Sequence, residues 1–231
     1  EEVSPRAGLV YKPQENVSLY ASYSESFLPR SGEQFANING DNNRLDPNTF
    51  VNLEAGLKWD LSRRLSLTAA VFEIEQESPV VSDTDAATFD VIETTVDGFE
   101  LQLQGQVRDR WFLSAGYSFL DGEQADGTLR PRELPEHMFS LWNTVRVTDQ
   151  FSLGLGLTYQ DESFINNSNS AVLPSYTRID AAAYYDVSST LRIQLNIENL
   201  ADELYFPYSH STHQATVGAP FNARLSVSGQ F

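Results

Sequence analysis

The chain has 231 residues, 15 Lys+Arg against 32 Asp+Glu, a formal charge of -17 and no cysteine. The missing cysteines exclude a disulfide scaffold, a thiolate metal site and a Cys nucleophile; the charge, with Lys12 and Lys58 the only lysines, excludes nucleic acid as a partner. Apolar runs such as Ala181 to Tyr185 fall far short of the roughly 20 residues of a spanning helix, and any export signal is expected outside this sequence.

Apolar and polar residues alternate with period 2 from end to end, the mark of strands with two unlike faces. Strands are predicted near 3–12 and 16–27, around a turn at Pro13-Gln14-Glu15, then near 49–60 and 64–77, around Leu61-Ser62-Arg63. The fifth, near 92–107, sets Phe99, Leu101 and Leu103 against Glu100, Gln102 and Gln104; after Arg108-Asp109 a sixth follows near 110–121. Strands near 136–147 and 150–160 meet at Thr148-Asp149, and the second alternates Leu153, Leu155 and Leu157 with Gly154, Gly156 and Thr158. Strands near 175–186 and 190–201 flank Val187-Ser188-Ser189, with Leu191, Ile193, Leu195 and Ile197 set against Arg192, Gln194, Asn196 and Glu198. The eleventh, near 220–231, ends on Phe231. No stretch of ten residues carries a helical period.

Most of these strands are longer than the five or six residues usual in soluble proteins, long enough to cross a hydrocarbon layer when tilted. Short turns alternate strictly with long polar loops near 28–48, 78–91, 122–135, 161–174 and 202–219. Tyr11, Trp59, Trp111 and Phe151 lie near the short turns; Phe27, Phe119, Tyr159 and Tyr205 lie near the long loops, as two interfacial girdles require. The chain therefore reads as all-β, an antiparallel transmembrane barrel. Its polar strand face needs water or an internal partner, because unpaired burial costs a few kcal/mol per group.

Eleven is an odd number. Counting back from a periplasmic Phe231, the first strand starts on the long-loop side and runs parallel to the last. Bacterial single-chain barrels are even-stranded, and an open edge within the membrane leaves backbone groups unsatisfied. Residues 1–231 are thus expected to be part of a larger barrel that lacks an odd number of N-terminal strands.

Several stretches carry a family resemblance. They are Arg132-Glu133-Leu134-Pro135-Glu136-His137-Met138 with Ser140-Leu141-Trp142, then Leu173-Pro174-Ser175-Tyr176-Thr177-Arg178-Ile179-Asp180. Next come Asn196-Ile197-Glu198-Asn199-Leu200-Ala201-Asp202-Glu203-Leu204-Tyr205, Gly218-Ala219-Pro220 leading to Phe231, and earlier Leu19 to Phe27 and Asn52 to Lys58. In order and spacing these resemble the C-terminal half of TonB-dependent siderophore receptors. The resemblance implies about 11 strands of a 22-stranded barrel in the outer membrane of a Gram-negative bacterium, surrounded by lipid and lipopolysaccharide. It also implies transport of a ferric siderophore, energy from TonB through a plug domain absent here, and no intrinsic cofactor. Phe221 after Pro220, and Glu136 before His137, depart from the family pattern.

Candidate ligand contacts lie in the long loops: Phe35 in loop 28–48, Tyr205, Phe206 and Tyr208 as an aromatic wall, and His210 with His213 as imidazoles for a metal or ferric complex. Interface anchoring for the tyrosines and a plain solvated loop for the histidines are the competing readings. Arg178, Arg192, Glu198 and Arg224 fall on the polar face and are expected to face the lumen, where they meet plug carboxylates, attract anionic complexes or simply pair among themselves. The three histidines, His137, His210 and His213, sit in no recognisable nucleophile setting, so no enzyme activity is expected. Another outer-membrane barrel, such as a pore or an autotransporter-type translocator, is the alternative.

Overall fold

The computed structural model describes residues 3–29, 46–81, 89–124, 127–211 and 213–229. Phe35 and Phe231 lie outside them. The strands are β1 (Arg6–Gln14), β2 (Val17–Leu28), β3 (Asn48–Ser62), β4 (Leu65–Val81), β5 (Phe89–Arg108), β6 (Trp111–Gln124), β7 (His137–Arg146) and β8 (Phe151–Gln160). After them come β9 (Ser163–Phe164), β10 (Val172–Leu173), β11 (Tyr176–Asp186), β12 (Leu191–Glu198), β13 (Tyr208–Ser211), β14 (Gln214–Thr216) and β15 (Asn222–Gly229).

Eleven of these form one sheet in the order β1-β2-β3-β4-β5-β6-β7-β8-β11-β12-β15, each antiparallel to its neighbour. They coincide with the eleven predicted strands. Among the described residues β1 and β15 are the sheet's two edges and do not pair with each other. With an odd number of alternating strands, both edges run in the same direction.

The register carries one simple rule. Outside the shifted pairs beside the turns, every partnered pair joins residues of like parity, from Arg6↔Ser24 through Leu101↔Tyr117 and Trp142↔Gly156 to Asn196↔Arg224. All even-numbered strand residues therefore share one face, and all odd-numbered ones the other. The odd face carries the leucines and valines and exposes them: Leu155 is 54% and Leu225 68% accessible. The girdle aromatics Tyr11, Trp59, Trp111, Phe151, Phe27, Phe119 and Tyr159 are all odd-numbered and lie on that face. Toward the long loops the odd face turns acidic at Glu25, Glu73, Glu75, Asp97 and Asp121, which closes the apolar band.

Two differences from the sequence reading follow from local chemistry. β4 and β5 remain paired out to Val81↔Phe89, so residues 78–81 and 89–91 of the loop expected at 78–91 are strand. The acidic odd positions end the apolar alternation there but not the hydrogen-bonded ladder, which needs no apolar face in water. The loops after β8 and β12 also contain two short hairpins, β9–β10 and β13–β14, too brief to leave a period in the sequence. The short turns are tied by their own side chains: Thr148 Oγ1 accepts from the Phe151 N–H at 3.0 Å.

Candidate functional site

The long connections after β6, β8 and β12 emerge from one end of the sheet and are bonded to one another. Arg130 and Asn169 are joined reciprocally: the Arg130 N–H donates to Asn169 Oδ1, and Asn169 Nδ2 donates to the Arg130 carbonyl, both at 2.9 Å. The Glu133 N–H donates to the Phe164 carbonyl at 2.8 Å. Glu133 Oε1 accepts from the Ser209 hydroxyl at 2.9 Å and from the Ser209 N–H at 2.5 Å, while Arg132 Nη2 reaches the Ser209 carbonyl at 3.3 Å. The β13–β14 ribbon is thus gripped through the backbone of Ser209 by the loop between β6 and β7. Burial pushes the Glu133 carboxyl up, but the two Ser209 bonds and the Arg132 guanidinium 3.1 Å away outweigh it and hold the group below the usual range.

A second knot ties the β12–β15 connection to the sheet. Asn199, wholly buried at φ 53°, donates from Nδ2 to the carbonyls of Glu203 and Ala219 at 2.8 and 3.0 Å. Its Oδ1 accepts from the Glu203 N–H, and its own N–H donates to Asp180. Asp202, also at positive φ, accepts from the Phe221 N–H. Asn and Asp tolerate this backbone region better than other side chains, so the run Asn199 to Asp202 suits a tight reversal.

Tyr205 is inside that knot. It is 5% accessible, its ring lies over Gly218, the Tyr176 ring stands 4.7 Å from it, and Arg178 donates to its hydroxyl at 3.2 Å. Its ring faces are taken by the chain's own residues. Tyr208, His210 and His213 are solvent-accessible. Tyr208 and His210 flank the buried Ser209 on β13, so they project away from the loop bundle. The structure brings Tyr208 and His210 together on one ribbon and separates them from Tyr205.

The four charged candidates on the polar strands share the even face. Arg178 forms a two-nitrogen contact with Asp180 at 2.9 and 3.1 Å, and Arg192 pairs with Asp186 at 2.6 Å. Glu198 accepts from Asn222 at 3.2 Å, and Arg224 stands opposite Asn196. Arg178 and Arg192 thus pair with acids on their own or the next strand rather than with Glu198. Between them and β5 lies a hollow of about 420 Å³ whose floor is small and polar: Ser114, Gly116, Ser140 and Thr158, rimmed by Gln102 and Gln160. The sequence reading did not single out Glu133, Asn199 or Trp142. All three stood inside quoted family stretches, but the groups they meet lie on other elements of the fold and leave no local signal.

His137 sits on the odd face against Tyr117 and Phe119, with Nδ1 2.9 Å from the Tyr117 hydroxyl, in the aromatic girdle. Among the described residues no group of three or more His, Asp or Glu could hold a metal ion.

The family described as TonB dependent receptor-like, beta-barrel matches residues 1–200. The probable TonB-dependent siderophore receptor PiuA of Acinetobacter baumannii is 35% identical over 99% of this chain and 34% of its own length. The probable TonB-dependent receptor BfrD of Bordetella pertussis is 30% identical over 95% of this chain and 32% of its own. The chain therefore spans about a third of the curated relatives it matches. The crystal structure of PiuA superposes with a TM-score of 0.87 over 97% of this chain and 35% of that one. The closed form of the ferric-catecholate import receptor Fiu of Escherichia coli K12 gives 0.84 at 28% identity, over 98% of this chain and 34% of that one.

Proposed function

The chain belongs to the TonB-dependent receptor β-barrel family, and from that premise we propose that it forms the C-terminal eleven strands of a 22-stranded outer-membrane receptor for ferric siderophores. The observation that carries this reading is the match of essentially the whole chain, at 35% identity, to a siderophore receptor three times its length. The parity of the sheet supports it independently, since two parallel edges close only when an odd number of further strands intervenes.

In this arrangement the odd face meets lipid and, toward the outside, lipopolysaccharide. The even face meets the lumen and a plug domain supplied by the rest of the receptor, through which TonB delivers energy. The ligand is a ferric siderophore, carried as cargo rather than held as a resident cofactor, and the protein acts as a transporter. The ribbon bearing Tyr208 and His210, held by Glu133, offers an aromatic and an imidazole side chain to a ligand approaching from outside; His213 stands at its tip, and Phe35, in the sequence between β2 and β3, is a further candidate contact. Arg178, Arg192 and Arg224 add positive charge to the inner wall.

Uptake of radioactive iron as ferric siderophores by an iron-limited strain, with and without the full-length receptor, tests the assignment. TonB-dependent accumulation of one complex is expected, and its loss on deletion of the receptor. Equal uptake by both strains for every catecholate, hydroxamate and mixed-ligand complex offered would reject it.

A further inference from the structure

The loop between β6 and β7 and the connection after β8 enclose a small cleft at the long-loop end. Its two walls are fixed to each other by the reciprocal bonds of Arg130 and Asn169 and by the Glu133 N–H on the Phe164 carbonyl. Leu134, Phe164 and Val172 supply apolar lining. The cleft holds about 240 Å³, below the size of a site for a whole ligand, and suits one arm of a larger molecule.

Glu136, Asp161 and Glu162 also line it. Glu136 is already matched: Arg130 stands 2.9 Å from it and reaches Asp121 at 3.5 Å. Asp161 Oδ1 accepts from the Glu162 N–H at 2.9 Å and from the Tyr159 hydroxyl at 3.3 Å. Among the described residues no cation pairs with Asp161 or Glu162, so the cleft keeps two uncompensated negative charges. A second feature, independent of charge, points to a ligand. Ser163 lines the same cleft, is 5% accessible, and its hydroxyl meets no hydrogen-bond partner. A buried hydroxyl left unpaired costs stability, which a ligand's polar group restores.

The fitting group therefore carries positive charge, several donors and a short apolar stem. A metal ion fits poorly, since among the described residues no three His, Asp or Glu are placed to hold one. A primary alkylammonium fits: it has three N–H donors for two carboxylates and one hydroxyl, and methylenes for Leu134, Phe164 and Val172.

We propose that this cleft binds the alkylammonium arm of the transported siderophore, so that the cargo belongs to the amine-bearing class. The ammonium donates to Asp161, Glu162 and Ser163 Oγ, and its methylenes lie against Leu134 and Phe164. An acidic cleft at the outer end repels an anionic ferric complex; a cationic arm on that complex turns repulsion into an anchor. The inference rests on the receptor reading above, and the test separates the two.

The full-length receptor in dodecyl maltoside is titrated with n-butylammonium chloride and, separately, with the neutral n-butanol, each followed by saturation-transfer NMR. The amine is expected to bind at millimolar concentration and the alcohol about tenfold more weakly. Asp161→Asn, which keeps an acceptor for the Glu162 N–H, should weaken the amine about tenfold. Glu162→Gln and Ser163→Ala should weaken it less, and Glu203→Gln, on the β12–β15 connection, should leave it unchanged. Equal binding of amine and alcohol, indifference to both Asp161→Asn and Glu162→Gln, or displacement of the amine by equimolar calcium chloride overturns the assignment. Uptake of the ferric complex that the receptor carries then links cleft to cargo. Excess butylammonium should slow it in the parent and not in Asp161→Asn, whose KM for the complex should rise. Binding without such inhibition gives the cleft to free amines and overturns the cargo assignment. A receptor that takes up no ferric complex rejects the receptor reading and the cargo with it, while the alkylammonium cleft stands or falls on the titration.

Discussion

The indole of Trp142 lies flat across Gly156 of the neighbouring strand: a Cβ built on Gly156 would stand 2.5 Å from Trp142 Cε3, and one on Gly154 would stand 2.7 Å from its Cζ2. The same arrangement recurs at Tyr20 over Gly56 and Phe72 over Gly98, all on the even face. Where a glycine leaves the ladder without a side chain, an aromatic from the partner strand covers it, and the inner wall stays smooth where the polar hollow adjoins it.

Replacing Gly156 by Ala should therefore destabilise the folded receptor by about 1–3 kcal/mol, the usual cost of overpacking. Gly116→Ala is the milder comparison, because its Cβ would meet only the Ser140 hydroxyl, at 3.2 Å, and a hydroxyl can turn aside. Denaturant titration of the full receptor in lipid should show a lowered midpoint for the first and little change for the second.

Leu195 and Asn196 are adjacent on β12 and face opposite ways. If Leu195 faces lipid near the bilayer midplane, Leu195→Arg should cost about 2–4 kcal/mol, and Asn196→Arg, toward the polar face, much less. Equal costs in a folding titration would contradict the assignment of faces.

The Ser209 latch should loosen in acid. A folded-state pKa held below the ordinary glutamate value of about 4.3 means that Glu133 contributes stability fully above that value and loses it as pH falls through the lowered one. Protection of the β13 amides against hydrogen exchange, taken relative to their intrinsic rates at each pH, should therefore fall as the pH drops below the ordinary glutamate range. Glu133→Gln should exchange faster than the parent at neutral pH and show a much flatter acid response; a parent and variant with the same pH profile would refute the latch.

Asn199→Ala strips three side-chain hydrogen bonds from a fully buried site and leaves the carbonyls of Glu203 and Ala219 without their donor. A local loss of about 2–4 kcal/mol is expected. Limited proteolysis between β12 and β15 reads it directly: the variant should be cut in that connection at protease levels that leave the parent whole.

Eleven strands, their approximate limits, the short turns and the separation of apolar from polar faces were all legible in the sequence. A strand's alternation is a local property, set by each residue's own transfer free energy. Parity then extends it, since like-parity pairing keeps Arg6 and Arg224 on one face across the whole sheet. The course of the long connections was decided only by the tertiary structure. Tyr205 reads as an exposed aromatic beside a loop, yet Gly218 and Tyr176 enclose it. Ser209 reads as an anonymous polar residue, yet Glu133, 76 residues earlier, holds its backbone. Periodicity records which face a side chain takes. Which distant groups meet depends on chain closure and packing between loops, and a linear pattern does not encode that.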